Sequence, residues 1–153
     1  MRRLFLLAAL ALLVRPGPAA AVDKLSGEQI RTLFEGNTVL GRYANGLPFS
    51  EYHHPDGRAP GHNRNVPNTD ACWTTTADAV CYYYGPFETR RTYCFTVERS
   101  GTLYVLRTQR SGRINALARI EPGDGEKHTE KTPPWHCDGL ISQRPGGARL
   151  AAR

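Results

Sequence analysis

The chain has 153 residues, of which 40% are hydrophobic, and it carries a formal net charge of +6. This length suits one domain with a single core. Three arginines and no acidic residue lie in residues 1–21, so the rest of the chain carries only +3. The remaining basic residues are scattered rather than clustered in a stripe, which argues against a nucleic-acid-binding protein.

Residues 1–21 predict an export signal. Arg2 and Arg3 precede an apolar run from Leu4 to Val14, and small residues lead to a cleavage site after Ala21. The run is shorter than the about 20 residues that a membrane-spanning helix needs, so we expect no stable membrane anchor. The product is expected in the periplasm or outside the cell. The general secretory route is favoured, and twin-arginine export stays open.

Residues 26–36 predict one short N-terminal helix. Ser26 and Gln29 have the spacing of a capping box, and Gly36 suits the position just after a helix. An apolar face is formed by Ile30, Leu33 and Phe34. We expect this helix to cover the open end of a sheet or barrel, in preference to binding a partner.

From residue 37 onwards the pattern indicates strands and turns. Asn45-Gly46 predicts a hairpin, Pro55-Asp56-Gly57 predicts a second turn, and residues 58–70 resemble a long loop with at most a ragged strand. The predicted strands are Thr38–Tyr43, Pro48–His53, Cys72–Thr76, Ala79–Tyr84, Arg91–Glu98, Thr102–Thr108 and Ile114–Ile120.

This spacing predicts a mainly β fold, an antiparallel meander that forms a small barrel or sandwich. The β-rich domain is predicted to span residues 22–120. Residues 121–141 are rich in Pro, Gly and charge, and they predict an irregular segment tied down by Cys137. We expect residues 142–153 to form a disordered tail.

An even number of cysteines in an exported chain predicts two disulfides. If Tyr84 faces Arg91 across a hairpin, Cys81 falls opposite Cys94, and this leaves Cys72 for Cys137. A rival pairing of Cys72 with Cys81 stays open. A zinc site is disfavoured because no Cys-x-x-Cys occurs.

The same register divides the hairpin into two faces. The more apolar face, predicted to face the core, consists of Val80, Tyr82, Tyr84, Tyr93, Phe95 and Val97. Tyrosines can line a sugar or small-ligand site, so Tyr82 and Tyr84 are candidate ligand-binding residues. The favoured interpretation is that the tyrosines pack in the core and cover the sheet.

Three histidines and a carboxylate suggest a metal site. His53, His54, Asp56 and His62 could ligate zinc, copper or nickel, but adjacent strand residues point to opposite faces. We therefore favour a polar strand end and turn. No Gly-x-Ser-x-Gly or similar nucleophile motif accompanies these histidines. We predict no catalytic residue, no bound metal and no cofactor.

An ordered set of landmarks runs through roughly residues 26–106: Gly36-Asn37-Thr38 after the helix, Pro55-Asp56-Gly57, Trp73, Cys81 and Cys94. The set resembles a group of small exported proteobacterial proteins of unknown function. The resemblance implies a small β-rich envelope domain in which Cys81 pairs with Cys94. It implies no catalytic residue.

A second resemblance is local. Ser100-Gly101-Thr-Leu-Tyr104 resembles the Ser-Gly-x-x-Tyr element of periplasmic inhibitors of chicken-type lysozyme. In that family the Ser and Tyr help a loop enter the lysozyme cleft, which makes Ser100 and Tyr104 candidate binding residues. The family's second element is absent, and a plain turn followed by a strand residue is the favoured interpretation.

Taken together, the sequence predicts an exported, monomeric, non-enzymatic binding module. Its partner would be an envelope or extracellular protein or a small ligand. We expect it to bind no nucleic acid. The alternatives are a periplasmic inhibitor of a lysozyme-like hydrolase and a small metal-binding or hydrolytic protein.

Overall fold

The computed structural model describes residues 22–68, 70–84, 91–133 and 135–137. The predicted signal at 1–21, the predicted hairpin turn at 85–90 and the predicted tail at 142–153 lie outside these ranges. The described elements are β1 (Asp23–Lys24), α1 (Gly27–Phe34), β2 (Asn37–Tyr43), β3 (Pro48–Tyr52), β4 (Gly61–Asn63), β5 (Val66–Asn68), β6 (Cys72–Thr75), β7 (Val80–Tyr84), β8 (Arg91–Ser100), β9 (Leu103–Thr108), β10 (Ile114–Pro122) and α2 (His128–Lys131).

The strands form one antiparallel sheet that curls into a half-barrel, which confirms the predicted mainly β fold and, of barrel and sandwich, favours the barrel. Its order is β5-β4-β3-β2-β10-β9-β8-β7-β6, and β1 pairs with β8. It is therefore two meanders, joined where β2 pairs with β10. The curl brings the segment after β3 to β6, where Trp73 N donates to Gly57 O and Ala59 N donates to Ala71 O.

Helix α1 follows β1 and packs against β2, β6 and β7. Ser26 Oγ accepts from Gln29 N, and Gln29 Oε1 accepts from Ser26 N, so the predicted capping box is present. Ile30 and Phe34 are fully buried. Gly27 is required by close approach, because a Cβ there would lie 1.6 Å from Thr76 O. This contact fixes the start of the helix against the turn between β6 and β7.

The β7–β8 hairpin has the predicted register, in which Tyr84 pairs with Arg91 and Cys81 with Cys94. The structure contains the disulfides Cys81–Cys94 and Cys72–Cys137, and among the described residues no cysteine is free. The pleat of β6 and β7 places both disulfides on the face opposite Trp73 and Tyr82. Because Cys72 is bonded to Cys137 and Cys81 to Cys94, the rival pairing of Cys72 with Cys81 is wrong.

Two segments contain more structure than the sequence predicted. Residues 58–70 hold the β4–β5 hairpin, whose turn has positive φ at Arg64 and Asn65. Arginine is not a residue type that favours turns, so the sequence carried no clear signal for this hairpin. The segment predicted to be irregular contains the end of β10 and the one-turn helix α2, whose His128 is 4% exposed. A contact with β3 holds that helix, and composition does not encode such a contact.

No helix in the described part of the chain has the length and apolar character needed to cross a membrane.

Candidate functional site

A cavity of about 420 Å³ lies inside the curl of the sheet, between β2–β5 on one side and β7–β10 on the other. Val66 and Tyr93 line it and are 65% and 44% exposed, so they lie at its mouth. Six aromatic rings contribute to its wall: Tyr43, Phe49, Tyr82, Tyr84, Tyr93 and Phe95. The volume is in the usual range for small-molecule sites.

Strand alternation explains which side chains reach the cavity. Phe49 and Glu51 are two residues apart on β3, and Tyr82 and Tyr84 are two residues apart on β7, so each pair shares a face. The sequence offered Tyr82 and Tyr84 as candidate ligand-binding residues, although packing in the core was its favoured interpretation, and it did not single out Glu51. The sequence did contain a signal for Glu51, because a strand residue two positions after an inward-facing phenylalanine also points inward.

The Glu51 carboxylate is the buried polar centre of the cavity. Glu51 is only 3% exposed. Three donors converge on Oε1: Tyr84 OH at 2.7 Å, Asn68 Nδ2 at 2.6 Å and Asn63 Nδ2 at 2.9 Å. Among the described residues, none donates a hydrogen bond to Oε2. One oxygen of the carboxylate is therefore saturated and the other is left to the cavity.

The electrostatics of Glu51 follow from its burial. Desolvation raises the pKa of Glu51 to about 6, although the hydrogen bonds from Tyr84, Asn63 and Asn68 oppose the rise. Burial and the nearby carboxylate raise the pKa values of Tyr82 and Tyr84 well above their usual range. Near neutral pH the carboxylate is thus mostly ionised and the two hydroxyls remain protonated.

We expect Glu51→Gln to change the pH dependence of stability. A carboxyl with a raised pKa favours folding below its unfolded pKa and loses that contribution as the pH rises through its folded pKa. Between about pH 4 and about pH 8, wild type should therefore lose about 2 kcal/mol relative to the variant, given a shift from 4.5 to about 6. Urea unfolding at both pH values measures the difference.

The matched control for that experiment is Glu121→Gln. Glu121 is an exposed carboxylate on β10 that pairs with Arg119. Its removal should leave the pH dependence close to that of wild type. Equal pH profiles for Glu51→Gln and wild type would show that the Glu51 carboxyl is not desolvated.

His53 connects the cavity to the core. Its Nε2 lies 2.7 Å from Tyr82 OH and its Nδ1 lies 3.1 Å from Glu51 O. A carbonyl can only accept, so Nδ1 carries the proton and Nε2 accepts from the tyrosine. Its ring also meets Phe34 and Trp73, with centroids 4.9 Å away in each case. Burial lowers the pKa of His53 to about 3, so this imidazole is neutral.

The metal ligands suggested by the sequence do not come together. His53 is fully buried, whereas His54 pairs with Asp56 at 2.8 Å and His62 lies on β4. Within the described ranges, no group of three His, Cys, Asp or Glu side chains is arranged to hold a metal ion.

A second polar group lies on the other face of β3. Ser50 Oγ is 2.8 Å from His128 Nε2, and Glu126 Oε2 is 3.4 Å from the same nitrogen. In a catalytic triad the acid bonds the ring nitrogen that does not face the serine, so this is not triad geometry. Asp124 accepts from the backbone N–H groups of His128 and Thr129 at the start of α2. The cluster serves to dock that helix on the sheet.

The two residues of the inhibitor-like element do not line the cavity. Ser100 is exposed and pairs with Leu103 across a turn in which Gly101 has φ +62°. Tyr104 is only 7% exposed, and its hydroxyl lies 3.4 Å from a guanidinium nitrogen of Arg99. Its ring packs in the core, so it is not presented for insertion into a partner's cleft.

No family model, curated protein or solved structure matches the chain. The resemblance to small exported proteobacterial proteins therefore rests on its sequence landmarks alone. The two disulfides fit an oxidising compartment.

Proposed function

We propose that this protein is an exported, non-enzymatic binding module that takes a small ligand into the aromatic cavity. One observation carries the proposal: a buried carboxylate, whose second oxygen has no donor within the described part of the chain, faces a cavity walled by six aromatic rings. Such a combination of an apolar wall and a few placed polar groups is typical of ligand sites. The predicted signal at residues 1–21 and the two disulfides support a periplasmic or secreted location.

Binding is favoured over catalysis by the composition of the cavity. Glu51 is the one carboxylate among the described lining residues, and its Oε1 is held by three donors. The titratable neighbours Tyr82 and Tyr84 have pKa values that keep them protonated. The hydroxyl protons of Tyr82 and Tyr84 are already donated to His53 Nε2 and Glu51 Oε1, so neither hydroxyl presents its proton to a ligand as a general acid.

A blocking variant tests the proposal. Val66→Trp adds a large ring at the mouth of the cavity, while Leu103→Trp adds the same ring to an exposed strand position outside it. A set of small amines, alcohols and carboxylates is screened against wild type by ligand-observed NMR. We expect some members to bind in the millimolar to micromolar range, about −4 to −8 kcal/mol.

Val66→Trp should weaken that binding at least about tenfold, a cost of about 1.4 kcal/mol, because the ring fills the entrance. Leu103→Trp should leave it unchanged. If no member binds wild type, or if both tryptophan variants bind as wild type does, the cavity is not the ligand site.

A further inference from the structure

We propose that the ligand of this cavity is a small organic cation, whose ammonium group is bound by Glu51 Oε2 and enclosed by the tyrosine rings. The inference rests on the proposed function and names the chemical class that the cavity would accept. It follows from three features of the described residues: the unbalanced carboxylate, the aromatic walls and the direction of the surrounding donors.

The first feature is a buried charge that has no counter-charge among the described residues. Glu51 is 3% exposed, yet none of the ion pairs among the described residues includes it. A buried carboxylate is costly unless it is paired and hydrogen-bonded. The three neutral donors on Oε1 supply the hydrogen bonds. A cation at Oε2 would supply the opposite charge.

The second feature is the arrangement of the rings. The ring centroid of Tyr84 lies 6.0 Å from the ring centroids of both Tyr82 and Tyr93. On the opposite wall, the ring centroids of Tyr43 and Phe49 are 5.0 Å apart. A cation within about 6 Å of such ring faces is attracted to them, most strongly where water is excluded. At the rim, the guanidinium carbon of Arg64 lies 5.4 Å from the Tyr43 ring centroid, which is the distance range of such an interaction.

The third feature is that the local donors are already used. Tyr43 OH donates to Asn63 Oδ1, Asn63 Nδ2 donates to Glu51 and Asn68, and Asn68 Nδ2 donates to Glu51. What these groups leave open is acceptor capacity on Oε2. An anion would be repelled there. A neutral donor would satisfy the oxygen but leave the charge unpaired, so a cation is favoured.

The test compares pairs of probes that have the same shape but different charge. Choline is compared with 3,3-dimethylbutan-1-ol, and benzylamine is compared with benzyl alcohol, by titration calorimetry at about pH 7.5. There Glu51, with a pKa of about 6, is mostly ionised. We expect at least one cation to bind about tenfold or more tightly than its neutral partner, because only the cation gains charge pairing with the carboxylate and attraction to the ring faces.

Glu51→Gln supplies the second arm. The amide keeps an Oε1 that accepts from Tyr84, Asn63 and Asn68 but removes the charge. It should abolish the preference for the cation, so that the two members of each pair bind the variant with affinities within about twofold of each other. Glu121→Gln, which changes an exposed carboxylate outside the cavity, should retain the preference.

A pH series on wild type adds a readout that needs no variant. The cation preference should shrink between about pH 7.5 and about pH 5 as Glu51 becomes protonated. Among the described residues, the buried titratable side chains nearby are Tyr43, Tyr82, Tyr84 and His53, and burial shifts all of their pKa values away from this range. Arg64 is a charged group at the rim of the cavity.

The outcomes separate this inference from the function on which it rests. Equal affinity for the charged and neutral probes, or a cation preference that survives in Glu51→Gln, overturns the inference and leaves a ligand cavity in place. If neither these probes nor the wider set bind wild type, the proposed function fails and the inference fails with it.

Discussion

Lowering the pH from about 8 to about 4 is expected to cost the protein roughly 3 kcal/mol of unfolding free energy through His53 alone, given a pKa lowered from 6.5 to about 3. The unfolded chain binds a proton on this imidazole below about pH 6.5, and the folded protein does not until far lower pH. The stabilisation is therefore complete above the unfolded pKa and is lost as the pH falls towards the folded one.

Structure explains why the folded ring resists protonation. His53 is fully buried among Phe34, Trp73 and Tyr82. Its Nε2 already accepts from Tyr82 OH, so a proton there would displace this hydrogen bond and place a charge in the core. Glu51 acts in the opposite direction over part of the same range, so wild type must be compared with a variant.

His53→Gln is the test variant and His54→Gln is its control. Glutamine can still accept from Tyr82 OH, but it does not titrate. His54 lies next in the chain with a partly exposed side chain paired to Asp56, outside the core. Urea unfolding at both pH values, followed by tryptophan fluorescence, should show wild type and His54→Gln losing about 3 kcal/mol more than His53→Gln. Parallel losses in all three proteins would refute a neutral buried His53.

Removing the Cys72–Cys137 disulfide is expected to lower the free energy of unfolding by roughly 4 kcal/mol in the chain-entropy model. The bond closes a loop with a sequence separation of 65 residues, so its loss restores considerable freedom to the unfolded chain. It also releases the segment in which Trp135 Nε1 donates to Ala71 O at 3.1 Å and Arg58 lies 5.9 Å over the Trp135 ring. Urea unfolding of the Cys72→Ala/Cys137→Ala double variant without reductant measures the loss.

The second disulfide is the natural comparison. Cys81–Cys94 closes a separation of only 13 residues between strands that are already paired, so Cys81→Ala/Cys94→Ala should lose about 3 kcal/mol. Proteolysis should also distinguish the two variants, because only the first should expose the chain around Trp135 to rapid cleavage. A loss below about 1 kcal/mol for the first variant would show that other contacts hold this segment in place.

The sequence predicted the local parts of the fold well because their signals are local. The capping box at Ser26 and Gln29, the turn at Asn45-Gly46 and the Tyr84–Arg91 register each depend on residues close together in the chain. That register also predicted the Cys81–Cys94 bond. The β4–β5 hairpin and helix α2 were missed because the first has an arginine at a turn position and the second needs Ser50 from β3.

The candidate site was only half predictable for the same reason. Tyr82 and Tyr84 followed from alternation along one strand. Their approach to Glu51 depends on the curl that brings β7 across from β3, and this curl depends on pairings far apart in the chain. The sequence disfavoured a histidine metal site because adjacent strand residues point to opposite faces, and in the structure His53 is fully buried whereas His54 is partly exposed and paired with Asp56.

By itself the sequence determined the mainly β class, the cross-strand disulfide and the inner face of the β7–β8 hairpin, and it predicts an export signal. These are properties of neighbouring residues and of an alternation with period two. Only the tertiary structure decided that β2 pairs with β10, that His53 is held neutral in the core, and that one oxygen of Glu51 faces an aromatic cavity. The physical reason is that desolvation and unpaired charge arise from what surrounds a side chain, and those surroundings are assembled only when distant strands meet.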